Sequence, residues 1–467
     1  MELNSIQDDS IDVVASNYVL MDLPILYDAV NSIYRVLKNG GKAVLIFGHP
    51  CFDQCNGEKY PYFIERKCYE EWGNFTIPFP FFHRPLSTYW KTFKKRGFKI
   101  DDFDDLLPLK SIIGDARIVA LGEGTHGTKE FFKMKHRVIE FLAKEMGFTV
   151  FAIEANMPEA RLVNKYVLSG AGNSKTALAG IYFWTWNTQE VLDMIEWMYH
   201  FNKSGDGHIE FFGFDMQIPH VALDSLISFV HSSGSSQKDS LLYYCHEINS
   251  AIDSVGRIAK YKISSEKDLD VFKGFCAQWR RSANRVIGLL QNNRVFYLQS
   301  VEEKEFEWAI QNAQILLQTA QMNWPQVPSR DESMAKNIDW ILEQHPPGTK
   351  IILWAHNIHV SKKEGAMGNY LYKKYDEDLI TFGFAFCEGK YIARGENGIG
   401  IYETSLPEPG SLEWIFHKTG QERFFFDLRR ADANSLESSW LYKELDFRII
   451  GARSEAYISH TNWSTIT

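Results

Sequence analysis

The sequence predicts an α/β fold, in which a mostly parallel sheet is flanked by helices and interrupted by a helical insertion, with a smaller α/β segment in front of it. Two observations predict this fold. From about residue 102 onward, short apolar runs alternate with longer helical patterns, whereas residues 239–322 contain helical patterns alone. Such alternation is typical of a parallel sheet that helices cover on both faces.

The composition limits what the chain does. Its 467 residues are enough for two domains. The net charge of -9 and the lack of a basic stretch argue against nucleic-acid binding. No apolar run approaches the roughly 20 residues that span a bilayer, and the first residues do not form a signal-peptide pattern, so we expect a cytoplasmic protein without membrane contact. The six scattered cysteines predict reduced thiols rather than a disulfide framework.

In the first hundred residues the pattern predicts a strand, a helix and a second strand, then irregular structure, a second helix and a third strand. Asn39-Gly40-Gly41 is a typical helix stop. The acidic run at 101–105 is the predicted boundary between a segment of residues 1–101 and a domain of residues 102–467. The predicted strands are 11–15, 42–47 and 98–103, the helices are 23–37 and 85–96, and the irregular stretch is 51–85.

After the boundary, strands and helices are predicted in regular alternation. Ser329 and Glu332 fit a capping box that opens a helix ending near residue 344. The helical insertion is predicted at about 239–322. The other predicted elements are strands at 117–121, 149–153, 209–212, 350–355 and 379–385, and helices at 130–146, 158–168, 188–202 and 219–231.

Four of these strands end in residues that are suited to acid–base chemistry. In open parallel sheets, ligands bind beyond the carboxyl ends of the strands, so we expect the four ends to converge on one crevice. In chain order, the strands run into Glu123 and His126, into Glu154, into Asp215, and into His356 with His359.

The run Gly122-Glu123-Gly124-Thr125-His126-Gly127 is the most informative motif. Its glycines allow a sharp turn and a close approach to a ligand. A histidine can take a proton from water near neutral pH, and a neighbouring carboxylate can orient its ring. Lys135 and Arg137 follow on the next predicted helix, where a cation turned inward would stabilise an oxyanion.

Other interpretations of these residues stay open. Glu154 suits a buried ion pair as well as catalysis, and Asp215 is slightly more typical of a helix cap. Trp184 and Trp186 either pack in a core or line an apolar pocket. No Gly-x-Ser-x-Gly elbow or phosphate-binding loop is present.

Three hypotheses follow from these residues. The first is hydrolysis by water with a histidine base, without a cofactor. A rival makes a divalent-metal site from Glu123, His126, Glu154 and His356. A third is a small-molecule binding protein without catalysis.

Beyond about residue 102 the chain resembles the erythromycin esterase family. The resemblance implies an α/β core with helical additions and hydrolysis of a small-molecule ester or macrolactone, which would confer macrolide resistance. It also implies a histidine base at His126, with Glu123, Glu154 and His356 at the other active-site positions and Lys135 where macrolide-cleaving members have an arginine. The residues expected to bind the substrate are Trp184, Trp186, Asp215, Arg330 and His359. The stretches that carry the resemblance are 105–109, 116–127, 151–155, Trp184 with Trp186, 190–197, 213–217, Arg330-Asp331, 334–337 and 354–359.

Residues 1–100 resemble the later half of a class I methyltransferase, a Rossmann-like fold. The matching stretches are 9–17, 35–41, 49–52 and 85–89. The glycine-rich loop that binds S-adenosylmethionine in such folds is not among these residues. We therefore expect this truncated segment not to bind the cofactor alone and to leave strand edges exposed.

Overall fold

The structure is a computed structural model that describes most of the chain in two compact units. One unit comprises residues 1–105 with 416–424, and the other comprises 106–415 with 425–467. The described residues are 3–47, 54–55, 58–59, 65–70, 79–98, 106–234, 236–260, 263, 265–420, 424–431, 434–435, 439–454 and 457–462.

The N-terminal unit is built on a parallel pair of strands, β1 and β2. Both predicted helices form, and their apolar faces pack together through residues such as Val30, Ile33, Tyr89 and Phe93. Two antiparallel pairs, β3 with β4 and β5 with β6, follow. The elements are β1 (Ile11–Asn17), α1 (Leu26–Val36), β2 (Leu37–Ile46), β3 (Gln54–Cys55), β4 (Glu58–Lys59), β5 (Arg66–Glu70), β6 (Phe79–His83) and α2 (Leu86–Arg96).

Two expectations for this unit need correction, and a third falls on residues that the structure does not describe. The stretch 51–85 is not irregular throughout, because β5 and β6 pair within it. Cys68 is disulfide-bonded, whereas Cys245, Cys276 and Cys387 are free, so the expectation of reduced thiols is wrong for Cys68. The strand expected at 98–103 falls almost wholly outside the described residues.

The larger unit contains five parallel strands in the order β11-β7-β10-β8-β9. Helices cover both faces, which confirms the predicted α/β fold. Its elements are α3 (Pro108–Ile113), β7 (Ile118–Leu121), α4 (Lys129–Met146), β8 (Val150–Asn156), α5 (Met157–Ser169), α6 (Ser174–Ala179), α7 (Gln189–Ser204), β9 (Glu210–Asp215), α8 (His220–Ser232), α9 (Lys238–Lys260), α10 (Glu266–Asn292), α11 (Arg294–Tyr297), α12 (Glu303–Asn323), α13 (Arg330–Glu343), β10 (Ile351–Trp354), α14 (Asn357–Val360), α15 (Met367–Tyr375), β11 (Leu379–Phe382), β12 (Gly389–Gly395), β13 (Gly398–Thr404), α16 (Leu412–His417), β14 (Glu444–Ile449) and β15 (Tyr457–Asn462).

The core explains why the central strands consist mainly of consecutive apolar residues. Every residue of β7, β8 and β10 is buried, as expected for parallel strands covered on both faces. The stretch expected to be a helical insertion forms α9, α10, α11 and α12, and side chains such as Cys245 of α9, Trp279 of α10 and Phe306 of α12 belong to the cluster that covers one face of the sheet. These helices are therefore part of the core.

Two antiparallel hairpins late in the chain were not predicted. Strands β12 and β13 pair from Gly389 with Thr404 to Gly395 with Gly398, and β14 pairs with β15. The first hairpin lies against the glycine-rich motif, because Ile392 N donates to Gly127 O at 3.0 Å. Among the described residues, no helix is both long and apolar enough to cross a membrane.

Candidate active site

The carboxyl ends of four neighbouring strands meet at one edge of the sheet, as the sequence predicts. In spatial order, β7 leads to Glu123 and His126, β10 to His356, β8 to Glu154, and β9 ends at Asp215. The glycines of the motif are required by close packing. A Cβ at Gly127 would lie 1.8 Å from Ile392 O, and one at Gly122 would lie 2.2 Å from Asn357 Oδ1.

Glu123 is the centre of the first cluster. Its Oε1 lies 2.6 Å from His126 Nδ1, and its Oε2 accepts from Lys135 Nζ and from Trp354 Nε1, each at 2.8 Å. Glu123 and Lys135 are both 0% exposed. Because Glu123 occupies Nδ1 of His126, the ring carries its proton on that nitrogen and directs the Nε2 lone pair elsewhere. This is the arrangement of a general base held by a carboxylate.

Burial and charge set the protonation states in this cluster. Burial alone would raise the pKa of Glu123, but the charge of Lys135 and the hydrogen bond from His126 outweigh it and lower that pKa. Burial lowers the pKa of Lys135 to about 8, against the opposing attraction of Glu123. The buried carboxylate is therefore ionised, and its counter-ion is a lysine that titrates in the mildly alkaline range.

His356 lies beside His126, with ring centroids 5.1 Å apart. Its Nδ1 accepts from Ile358 N at 3.2 Å, so its Nε2 bears the proton and donates to Ile450 O at 3.3 Å. Burial, together with the neighbouring His126 and His359, lowers the pKa of His356 to about 3, against the opposing attraction of Glu123 and Glu154. His356 is thus a neutral imidazole with one N–H donor at the site.

Arg330 is the centre of a second cluster. It donates to Asp215 through Nε at 3.1 Å and through one terminal nitrogen at 2.7 Å, and that terminal nitrogen also lies 2.7 Å from Glu154 Oε1. The other terminal nitrogen lies 3.1 Å from His359 Nε2, and His359 Nδ1 lies 2.8 Å from Asp331. Asp215 is therefore an ion-pair partner and not the helix cap that the sequence slightly favoured, since α8 begins at His220 and its N-cap residue is Pro219, with no side-chain cap.

The neighbouring charges in this second cluster keep the Glu154 carboxylate ionised. Burial alone would raise the pKa of Glu154, but His359 and Arg330 outweigh it and hold that pKa well below its ordinary value. A backbone N–H of His356 also donates to Glu154 Oε2 at 3.0 Å. Burial opposes ionisation of His359, yet Glu154 and Asp331 raise its pKa. Glu154 is therefore ionised, with Arg330 at 2.7 Å and His359 at 3.4 Å from its Oε1.

The remaining predicted site residues divide into two groups. Trp186 is buried, donates from Nε1 to Glu154 O at 2.8 Å, and stands edge-on to His126 with the two ring centroids 5.5 Å apart. Trp184 is half-buried in the same loop. Arg137 lies on the exposed side of α4 and is not brought to the cluster, whereas Lys135 points inward to Glu123.

Three residues at the site escaped the sequence analysis. Trp354 holds Glu123, and Asp331 holds His359. The Asn357 side chain donates to Phe384 O at 2.7 Å and accepts from Phe384 N at 3.1 Å, which fixes the chain after β11. The signal for Trp354 and Asn357 was their position at the end of a predicted strand.

The donor set does not suit a metal ion. In the part of the chain that the structure describes, no three His, Cys, Asp or Glu side chains are grouped to hold one. Both buried carboxylates already have organic counter-ions, Lys135 for Glu123 and Arg330 for Glu154. We therefore derive no catalytic step through a metal.

Two family models match the chain. The model described as erythromycin esterase matches residues 143–465, and the model described as methyltransferase domain matches residues 1–45. The first covers more than half of the chain. The second agrees with the resemblance of the N-terminal segment to a methyltransferase.

Two curated proteins are similar over most of the chain. A protein named erythromycin esterase type II from Escherichia coli is 25% identical over 380 residues, which are 73% of this chain and 88% of that protein. A protein named putative hydrolase YbfO from Bacillus subtilis (strain 168) is 23% identical over 368 residues, which are 72% of this chain and 80% of that protein.

Solved structures share the fold. A Bacillus cereus protein superposes with a TM-score of 0.63 at 28% identity, over 76% of this chain and 88% of that one. A mutant erythromycin esterase in its open conformation superposes with a TM-score of 0.58 at 18% identity, over 78% of this chain and 92% of that one, and so supports the fold alone. With the family model matching most of its length, this chain belongs to the erythromycin esterase family.

Proposed function

We propose that this chain hydrolyses a carboxylic ester, with His126 as the general base. The observation that carries the proposal is the buried 2.6 Å contact between His126 Nδ1 and Glu123, which leaves Nε2 as the acceptor. A histidine held in this way by a carboxylate takes a proton at one nitrogen while the carboxylate stabilises the imidazolium. Membership of the erythromycin esterase family supports this reaction class.

The proposed reaction has two steps. His126 Nε2 removes a proton from a water molecule, and the water oxygen forms a bond to the ester carbonyl carbon. The carbonyl oxygen becomes an oxyanion, which the neutral Nε2–H of His356 stabilises as a hydrogen-bond donor. The intermediate then breaks its bond to the leaving oxygen, which receives the proton from the His126 imidazolium.

Lys135 acts through Glu123 in this proposal. Both side chains are 0% exposed and are joined at 2.8 Å, so Lys135 keeps Glu123 ionised. An ionised Glu123 is needed to stabilise the His126 imidazolium. Lys135 is thus a positioning residue, and the oxyanion role that the sequence suggested for it passes to His356.

The proposed substrate is a macrolactone ester, and its cleavage would confer macrolide resistance. The support is the name of the Escherichia coli relative, erythromycin esterase type II, together with Trp186 as an apolar wall beside His126. Trp184, Asp215, Arg330 and His359 are proposed to bind the polar groups and rings of the substrate near this wall.

Mass spectrometry of erythromycin incubated with the protein tests the proposal. Wild-type protein and Arg137→Ala, an exposed change on the helix that carries Lys135, are expected to add one water to the substrate. His126→Gln is expected to add none. Unchanged erythromycin with the wild type, together with tight binding, would favour a binding protein, and loss of hydrolysis on chelation would favour a metal mechanism.

We also propose that residues 102–467 form the hydrolase domain and that 1–101 is a separate methyltransferase-like segment. The match of a methyltransferase model to residues 1–45 supports the second assignment. Isothermal titration of the full chain with S-adenosylmethionine is expected to show no micromolar binding, and a micromolar isotherm would refute this view of the segment.

A further inference from the structure

The donor that the proposed reaction needs is already occupied by the chain itself. The Nε2–H of His356 points at the main-chain oxygen of Ile450, 3.3 Å away. The ring has no freedom to offer another donor, because its Nδ1 accepts from Ile358 N. An amide carbonyl thus lies where an ester carbonyl would be polarised.

The segment that supplies this carbonyl is anchored on both sides. We name residues 448–454 the C-terminal cover. Ile450 N donates to Gly124 O at 3.0 Å, inside the glycine-rich motif. On its other side the cover pairs with the β12–β13 hairpin, where Arg394 N donates to Ala452 O at 2.9 Å and Ser454 N donates to Arg394 O at 3.1 Å.

The hairpin in turn lies on the motif through Ile392 and Gly127. The cover, the hairpin and the motif therefore form a closed ring of main-chain hydrogen bonds over the histidines. His126 is 9% exposed, His356 is 2% exposed, and the Ile450 side chain is 0% exposed. An ester carbonyl cannot accept from His356 Nε2 while the Ile450 carbonyl occupies that donor.

We propose that the C-terminal cover is an autoinhibitory element, in which the Ile450 carbonyl occupies the oxyanion position of the hydrolytic site and must withdraw before a substrate ester enters. This inference rests on the proposed function for the meaning of that position. The withdrawal itself is a property of the protein that is measurable without substrate.

The test weakens the anchor and leaves the hydrogen-bonding groups of the cover unchanged. Ile450→Ala shortens the buried side chain but keeps its N–H and carbonyl, and Ile401→Ala is the matched control, because Ile401 is 73% exposed on the hairpin. The readout is the rate at which diethyl pyrocarbonate modifies His126, measured by peptide mass spectrometry relative to His208, whose side chain is 55% exposed.

Ile450→Ala is expected to accelerate the relative modification of His126 about tenfold, since loss of three buried side-chain carbons favours the withdrawn state. Ile401→Ala is expected to match the wild type. Equal rates in all three proteins would overturn the proposal. Hydrolysis of p-nitrophenyl acetate then separates the inference about the cover from the proposed function. Faster labelling of His126 without esterase activity would support the movement of the cover but refute the proposed function.

A second variant works in the opposite direction and guards against poor folding of the first. Arg394 and Arg453 pair across the isolated β-bridge between hairpin and cover, so Arg394→Cys with Arg453→Cys places two thiols at a spacing typical of disulfides. Oxidation is expected to slow His126 modification at least tenfold, and reduction is expected to restore it. Unchanged labelling after confirmed cross-linking would contradict the inference.

Discussion

Replacing Lys135 with methionine is the sharpest single test of how the site is held together. The change keeps the length and much of the volume of the side chain but removes the ammonium group that donates to Glu123 Oε2 at 2.8 Å. Among the described residues, this is the only cation bound to that oxygen. Both partners are 0% exposed. The carboxylate would remain in the core with its Trp354 and His126 contacts but without a permanent counter-ion.

The magnitude follows from the distance and the burial. Two unit charges at 2.8 Å attract by about 6 kcal/mol at an effective dielectric constant of about 20. Because part of that attraction is offset by the cost of burying the ammonium, the expected loss of unfolding free energy is about 3–5 kcal/mol. The pKa of Glu123 should rise at the same time, and a protonated Glu123 would no longer stabilise the His126 imidazolium.

Urea denaturation and ester hydrolysis together measure the effect. Lys144→Met is the matched control, because Lys144 pairs with Glu140 on the same helix at the same 2.8 Å, but the two side chains are 47% and 31% exposed. That control should cost no more than about 0.5 kcal/mol. The double variant Lys135→Met with Glu123→Gln should cost less than the sum of its single variants. If Lys135→Met lowered the free energy of unfolding no more than Lys144→Met does, the buried pair of Lys135 and Glu123 would not stabilise the site as we propose.

Four further expectations follow from the site. His126→Gln should reduce ester hydrolysis by a factor of at least a hundred with little change in the urea midpoint, and equal activity would remove His126 as the base. Activity should fall above about pH 8, where Lys135 loses its proton, and Lys135→Arg should move that limb upward; an unmoved limb assigns it to another group. Between about pH 8 and 10.5 the unfolded chain binds more protons at Lys135 than the folded chain does, so the contribution of Lys135 to the free energy of unfolding should rise with pH. Urea midpoints measured across this pH range for the wild type and for Lys135→Arg would show this rise. Arg330→Met should cost about 3–5 kcal/mol, because it removes the guanidinium that pairs with the buried Asp215 and Glu154 and leaves Glu154 only His359 as an ion-pair partner among the described residues; a cost below about 1 kcal/mol would contradict this.

The strand ends were predictable because their physics is local. A buried parallel strand is a short apolar run, and the first polar residue after it stands at the edge where ligands bind. This placed Glu123, Glu154, Asp215 and His356 at one edge. The inward position of Lys135 was also within reach of the sequence, since it shares the apolar face of α4 with Phe131, Phe132, Val138 and Ile139, whereas Arg137 does not.

The features that the sequence did not predict depend on contacts between distant residues or, in one case, on a turn motif that was overlooked. Asn397-Gly398 between two runs rich in Ile and Tyr is typical of a tight hairpin, and it marks the β12–β13 turn. The contact of Ile450 with Gly124 and His356 joins residues more than ninety positions apart and leaves no local pattern. The role of Asp215 was misjudged for the same reason, because Arg330 lies 115 residues further along the chain.

The site assigns different states to two histidines that have the same ordinary pKa. His126 has a carboxylate on its ring, so a proton gained at Nε2 is stabilised by Glu123. His356 has a backbone N–H on one ring nitrogen and a carbonyl on the other, and burial beside other imidazoles lowers its pKa to about 3. In the proposed reaction His126 therefore accepts a proton, whereas His356 donates a hydrogen bond as a neutral imidazole. Exchange of the two roles would require moving Glu123, whose Oε2 is held by hydrogen bonds from both Lys135 and Trp354.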